Sequence, residues 1–66
     1  MSKEKTEFNR KFEALLKDRN ISFRKAGSLL DMDHTKVYRW CHSSEPNVTE
    51  LRRIIEVFEL PDNYFK

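Results

Sequence analysis

The stretch that decides the fold is FRKAGSLLDMDHTKVYRW, residues 23–40. It contains two short segments with apolar or small residues at helical spacing, separated by the polar break Asp31-Met32-Asp33. Gly27, the only glycine of the chain, lies inside the first segment, where glycine costs about 1 kcal/mol relative to alanine. We interpret Gly27 as a point of close approach, where a larger side chain would collide with a crossing helix. The stretch therefore predicts two helices that cross steeply.

The break between these two segments favours a tight turn. Asp31 suits the C-terminal end of the first helix, because Asp adopts the left-handed conformation more readily than most residues. Asp33 is a good N-cap for the second helix. We expect Met32 and Val37 to fill the space between the helices, a helix-turn-helix arrangement. The inward positions of the second helix are Val37, Trp40 and Cys41.

Two longer amphipathic segments flank this unit. Before it, a helix is predicted from the N-cap Thr6 to about residues 19–20, with a buried face of Phe8, Phe12, Leu15 and Leu16. Ser22 is the N-cap expected for the segment that starts at Phe23. After the unit, Asn47 and Glu50 resemble a capping box, and Pro61 is expected to end the last helix. The buried stripe predicted for that helix is Val48, Leu51, Ile54, Ile55 and Phe58.

Length and composition indicate one small all-α domain, compact and of four to five helices. The 66 residues are 38% hydrophobic and 36% charged, with one glycine and two prolines, too few for an all-β fold. Residues 1–5 are predicted to be a flexible tail and residues 6–66 the domain, with residues 62–65 folding Tyr64 and Phe65 back onto it. A domain of about 60 residues has little room for a pocket of about 300 Å³ or more. We therefore expect no enzyme, no cofactor and no small-molecule substrate.

The location expected from the sequence is cytoplasmic. No apolar stretch approaches the ~18 residues of a membrane span, and the first residues have no apolar signal region. The single cysteine, Cys41, suggests a reducing compartment and a small buried apolar group. A metal site is not expected from His34, Cys41 and His42, because the adjacent Cys41 and His42 cannot both point comfortably to one ion.

Over about residues 8–65 the chain resembles the phage repressor and Cro type of helix-turn-helix proteins, also called XRE-like. The residues that carry the resemblance are Phe8-x3-Phe12-x2-Leu15, Ile21-Ser22, Ala26-Gly27-x2-Leu30-x-Met32, Val37-x2-Trp40, Pro46-x-Val48-x2-Leu51 and Phe58-x-Leu60. The resemblance implies a lambda-repressor-like fold and a sequence-specific DNA-binding regulator. The chain departs from the family pattern in three places. Asp31 stands where glycine is usual, Phe23 replaces a phosphate-binding glutamine, and Leu16 with Cys41 replaces an arginine–glutamate pair.

By this resemblance, the recognition helix, about residues 34–42, enters the major groove of a double-stranded DNA operator. Helical spacing independently turns His34, Thr35 and Arg39 outward together. Arg39 suits guanine, Thr35 suits thymine, and Lys36 and Tyr38 suit phosphates. Residues 19–42 carry five basic and two acidic side chains, a net +3, whereas residues 43–66 carry three and five, a net −2. The expected DNA-binding residues are Arg24, His34, Thr35, Lys36, Tyr38, Arg39, Ser43 and Ser44, together with backbone N–H groups of the 42–47 loop.

An alternative class of function is an antirepressor, a modulator that binds another repressor protein. It would use an aromatic anchor of Phe23, Tyr38 and Trp40 rimmed by basic residues such as Arg24. The sequence leaves open whether Phe23 projects into solvent or folds back onto its helix. A homodimer is also expected, with its contact at Leu60, Tyr64 and Phe65, the apolar C-terminal segment.

Overall fold

The structure is a computed structural model that describes residues 5–65. Helix α1 spans Glu7–Asp18, α2 spans Phe23–Leu30, α3 spans His34–Trp40 and α4 spans Val48–Val57, and there is no strand within residues 5–65. The predicted all-α domain with a central pair of short helices is confirmed. The helix α3 is shorter than the predicted recognition segment, because Cys41 and His42 already belong to the following turn.

Every helix begins at a side chain that caps it. The oxygens of Thr6, Ser22, Asp33 and Asn47 each accept a hydrogen bond from a backbone N–H of the first turn. The predicted capping box of Asn47 and Glu50 is present. A second box that the sequence analysis did not identify joins Thr6 to Asn9 in α1.

Three helices end with a left-handed residue that is not glycine. The residue after each one donates its backbone N–H to the carbonyl oxygen five residues earlier, at 2.8 to 2.9 Å, which is the Schellman pattern. For α4 this left-handed residue is Glu59, two positions after Val57, where the helix ends. The prediction that Pro61 ends the helix was therefore wrong. The three left-handed residues are Asn20, Asp31 and Glu59.

The core contains one face of each helix. Its buried members are Phe8, Phe12, Leu15, Leu16, Ala26, Leu30, Val37, Trp40, Cys41, Ile54 and Phe58. The predicted stripe of α4 was wrong at Val48, which is 70% exposed. At about 100° per residue, Val48 lies about 120° around the helix from Ile54, so it faces away from the core.

The two ends of the described chain pack onto this body. The ring of Phe65 lies 4.6 Å from that of Phe8, and the Lys11 ammonium donates to the Tyr64 carbonyl at 3.3 Å, which confirms the predicted return of residues 62–65. Lys5, assigned to the flexible tail from the sequence, pairs with Glu13 at 2.7 Å. Residues 1–4 of the predicted tail and the predicted domain end, residue 66, lie outside the described residues. None of the helices in the described range has the length and apolar character needed to cross a membrane.

Candidate nucleic-acid interface

The crossing of α2 and α3 is a backbone-to-backbone contact at Gly27. A Cβ atom placed on Gly27 would lie 2.8 Å from the carbonyl oxygen of Met32 and 3.2 Å from the backbone nitrogen of His34. Val37 is fully buried behind this contact and Met32 is half-buried against the core. The predicted close approach is confirmed, and it fixes the first turn of α3 directly on α2.

This contact leaves one side of α3 facing solvent. The side chains of Val37 and Trp40 point inward, and those predicted to face outward are exposed. Arg39 takes part in no ion pair with any residue from 5 to 65. The exposed residues of this outer face are His34, Thr35, Lys36, Tyr38 and Arg39.

The N-terminus of α3 is held by Asp33. Its carboxylate accepts the Thr35 backbone N–H at 2.9 Å and lies 3.5 Å from Nδ1 of His34. The Thr35 hydrogen bond lowers the pKa of Asp33, so this carboxylate is charged at neutral pH. Asp33 therefore adds a negative charge at the edge of the outer face and can hold His34 when its imidazole is protonated.

On the side towards α4, Lys36 is already paired. Its ammonium forms an ion pair with Glu50 and lies 5.8 Å from the centre of the Trp40 ring. The Lys36 hydrogen bond, with help from the Asn47 backbone N–H, holds the pKa of Glu50 below its usual range. Sequence reasoning treated Lys36 as a free cation, because nothing in the spacing reveals a partner 14 positions away on another helix.

On the side towards α2, three rings form what we call the aromatic flank, made of Phe23, Tyr38 and His42. Tyr38 stacks on His42 with ring centres 4.0 Å apart, and Phe23 meets Tyr38 edge-on at 5.5 Å. His42 Nδ1 is hydrogen-bonded to the Tyr38 carbonyl at 2.8 Å. The open question about Phe23 is thus answered: it is half-buried, packed against the core and against Tyr38.

The anchor proposed for the alternative function was wrong in one member. Trp40 is only 2% exposed, because its ring packs edge-on against Phe12 in the core. It is not available to a partner, and His42 takes its place beside Phe23 and Tyr38. Sequence reasoning placed His42 in a polar loop and missed this contact.

The loop after α3 is closed on itself. The backbone N–H groups of His42, Ser43 and Ser44 all donate to the carbonyl of Arg39, at 2.9 to 3.0 Å, and the Asn47 N–H donates to Glu50. Four of the loop N–H groups predicted to contact phosphate are thus already hydrogen-bonded within the chain. Ser43 is exposed and Ser44 is half-buried, so phosphate contacts by their side-chain hydroxyl groups stay a prediction.

A buried amide that sequence reasoning missed anchors this loop. The Asn9 side chain donates to the carbonyls of Trp40, at 2.5 Å, and Ser44, at 2.8 Å, while its oxygen accepts from the Thr6 N–H at 3.0 Å. Asn9 is fully buried. It thereby ties the start of α1 to the end of α3. Its only sequence signal is its place three residues after Thr6, the third position of a capping box, usually Glu or Gln.

The remaining predicted residues fall into three groups. Arg24 is exposed on the first turn of α2, next to the exposed Lys25. The predicted dimer residues Leu60, Tyr64 and Phe65 are half-buried and packed against the core of their own chain. Cys41 is fully buried in the core, which confirms the prediction of a small buried apolar group, and this burial raises the pKa of its thiol to about 11. No group of three metal-ligating side chains is found in the described part of the chain.

Two open grooves border α4. One, of about 650 Å³, lies between α4 and the end of α2 and includes Asp31, Lys36, Arg53 and Glu56; the other, of about 560 Å³, includes Val48 and Ile55. Both are larger than the volume that the sequence argument allowed, so chain length alone does not exclude a small-molecule ligand. The first groove contains charges of both signs, without a concentration of either.

Searches of family models, curated proteins and solved structures find no match for this chain.

Proposed function

We propose that this chain is a sequence-specific DNA-binding regulator of transcription, acting in the cytoplasm as phage Cro-like proteins do. The observation that carries the proposal is the outer face of α3. The contact at Gly27 turns Thr35 and Arg39 outward together, and Arg39 has no ion-pair partner in residues 5–65. An exposed short helix with an unpaired arginine in its last turn, one turn after Thr35, matches the size and chemistry of the major groove.

In this proposal some residues of the outer face contact bases, and residues around them contact phosphates. Arg39 forks onto O6 and N7 of a guanine, Thr35 contacts a thymine methyl group or a base edge, and His34 donates to a purine. Contacts to the phosphates position the helix without reading sequence. The residues proposed for phosphate contacts are Arg24, Tyr38, Ser43 and Ser44.

The proposed operator is read by a two-fold homodimer, with half-sites about 34–36 Å apart. Leu60, Tyr64 and Phe65 pack on their own chain, so we place the dimer contact at Val48, which is 70% exposed on the first turn of α4. Sedimentation velocity over rising protein concentration tests this. Val48→Glu should weaken the dimer, and an unchanged sedimentation profile in the variant would contradict the contact.

Selection of duplexes from a random pool tests the proposed function. We expect one sequence to be enriched, and Arg39→Ala to weaken its binding by about 1–3 kcal/mol while relaxing one base position. Arg52→Ala, an exposed arginine on α4, is the matched control and should leave the base preference unchanged. A pool from which neither the wild type nor the control enriches any duplex would contradict the proposal.

A second candidate function is an antirepressor that binds another repressor protein, and the aromatic flank favours it. Tyr38 is 49% exposed and stacked on His42, so the flank offers a rigid aromatic surface beside Arg24. Phe23→Ala should then abolish capture of a co-encoded repressor, with Leu29→Ala as the control for loss of an exposed apolar group. A complex that forms equally well with both variants would exclude this role of the flank.

A further inference from the structure

Glu50, in the first turn of α4, places its carboxylate beside Lys36 of α3, the helix proposed to contact DNA. Its two carboxylate oxygens have different partners: one accepts the backbone N–H of Asn47 at 3.1 Å, and the other pairs with the Lys36 ammonium. The first contact belongs to the cap of α4 and needs only an acceptor oxygen. The second needs the negative charge.

Lys36 is next to Thr35 in the first turn of α3, where a released ammonium can reach the DNA backbone. It is held on the α4 side by two contacts, the Glu50 carboxylate and the face of Trp40. Both partners of the ion pair retain access to solvent, with side-chain exposures of 49% for Lys36 and 23% for Glu50. A pair of this kind contributes at most about 1 kcal/mol to stability, so removal of either charge should leave the fold intact.

We propose that Glu50 is an internal substitute for a DNA phosphate, which holds Lys36 off the backbone and thereby sets how tightly the chain binds duplex DNA. The inference rests on the proposed DNA-binding function and adds a regulating residue to it. Each phosphate contact raises the salt dependence of binding by about 0.9 in the log–log slope. With Glu50 in place, Lys36 does not contribute that increment.

As a consequence, α3 binds DNA through its base-contacting residues Thr35 and Arg39 and lacks the phosphate contact that a free Lys36 would add. Phosphate contacts strengthen binding to every duplex, whereas base contacts separate one sequence from another. Glu50 thus limits the sequence-independent part of the affinity without touching Thr35 or Arg39.

The test is a double-mutant cycle on duplex binding, measured by fluorescence anisotropy from low to high salt. Glu50→Gln keeps the acceptor oxygen for Asn47 and removes the charge that holds Lys36. We expect this variant to bind about five- to tenfold tighter at 0.1 M salt, with a slope steeper by about 0.9. Lys36→Gln alone should leave the slope unchanged, and the double variant should return to the wild-type slope.

Glu45→Gln is the matched control, since Glu45 is exposed, forms no ion pair within residues 5–65 and carries the same charge. Its effect should not depend on Lys36. Equal slopes for Glu50→Gln and Glu45→Gln, or a lower slope for Lys36→Gln alone, would overturn the inference while leaving the proposed function intact. Absence of duplex binding by the wild type and every variant at low salt would instead overturn both. Lys36→Gln keeps the test decisive if Glu50→Gln does not fold, which circular dichroism reports.

Discussion

The two junctions of α3 differ in kind. Towards α2, the contact is made by backbone atoms, with Gly27 so close to Met32 and His34 that no Cβ fits. Towards α4, the exposed part of the junction is made by side-chain ends, the ion pair of Lys36 and Glu50. The first junction depends on the absence of a side chain at Gly27, whereas the second depends on two charges and is lost when either is removed.

This difference separates orientation from affinity in the recognition unit. The α2 junction, buried and close-packed, determines which side chains of α3 face outward. The α4 junction, exposed and ionic, determines which cations are available on that face. Four changes test this division, from the contact whose loss should cost most to the one whose loss should cost least.

Gly27→Val should have the largest effect. The added atoms meet backbone rather than flexible side-chain ends, so α2 and α3 must move apart, and we expect a loss of about 3 kcal/mol in the free energy of unfolding. Urea denaturation followed by circular dichroism measures it. Ser28→Val places the same side chain at the exposed neighbouring position and should cost no more than about 0.5 kcal/mol. Equal stabilities of the two variants would show that the junction is not close-packed.

Asn9→Ala should come second. It removes the donors to the Trp40 and Ser44 carbonyls and the acceptor for the Thr6 N–H, and leaves those groups without their partner in a buried place. We expect a loss of about 2 kcal/mol in the free energy of unfolding. Denaturation under the same conditions tests it against Asn63→Ala, at an exposed position. A loss below 0.5 kcal/mol, within the usual range for surface substitutions, would show that the amide does not anchor the end of α3.

Phe23→Ala should have an intermediate effect, about 1 kcal/mol, since the ring is half-buried and in edge contact with Tyr38. This variant also tests whether the aromatic flank takes part in reading DNA. Thermal unfolding measures the stability, and the duplex selection described above measures base preference. An unchanged preference supports DNA reading by Thr35 and Arg39, while a lost preference would show that the aromatic flank takes part in reading.

Acid should have the smallest effect at the α4 junction. The pKa of Glu50 is lowered in the folded protein, so its contribution to stability is present above the ordinary value of 4.5 and is lost as the pH falls through the lowered value. The wild type should be slightly more stable than Glu50→Gln at pH 6, and this difference should shrink as the pH falls below 4.5. Thermal unfolding across this range tests the prediction, and a constant difference between the two proteins at every pH would contradict it.

Local signals in the sequence were sufficient for the helices and the α2–α3 crossing. The caps at Ser22, Asp33 and Asn47 follow from residue types within one turn, and Gly27 is conspicuous as the only glycine. The helix end at Glu59 was missed because glutamate has no special preference for the left-handed conformation, so no residue type marked the stop.

The candidate site was only partly predictable, because two of its features are pairings between distant residues. The pair of Lys36 with Glu50 and the bonds from Asn9 to Trp40 depend on how whole helices pack. The stacking of Tyr38 on His42 spans only four residues, but it depends on the turn that follows α3. The helical period showed which residues face outward, but it does not show which of these are already occupied by another part of the same chain. The predicted burial of Val48 was wrong for a related reason, since an apolar residue at the start of a helix is buried only if another element covers it.

The central claim is that the outer face of α3, oriented by Gly27, is the surface that meets DNA. The most direct measurement is the change in backbone amide chemical shifts when a short duplex is added at low salt. We expect the largest changes in residues 34–39 and around Arg24, and little change at the exposed α4 residues Arg52, Arg53 and Glu56. Changes concentrated on α4, with residues 34–39 unaffected, would contradict the account.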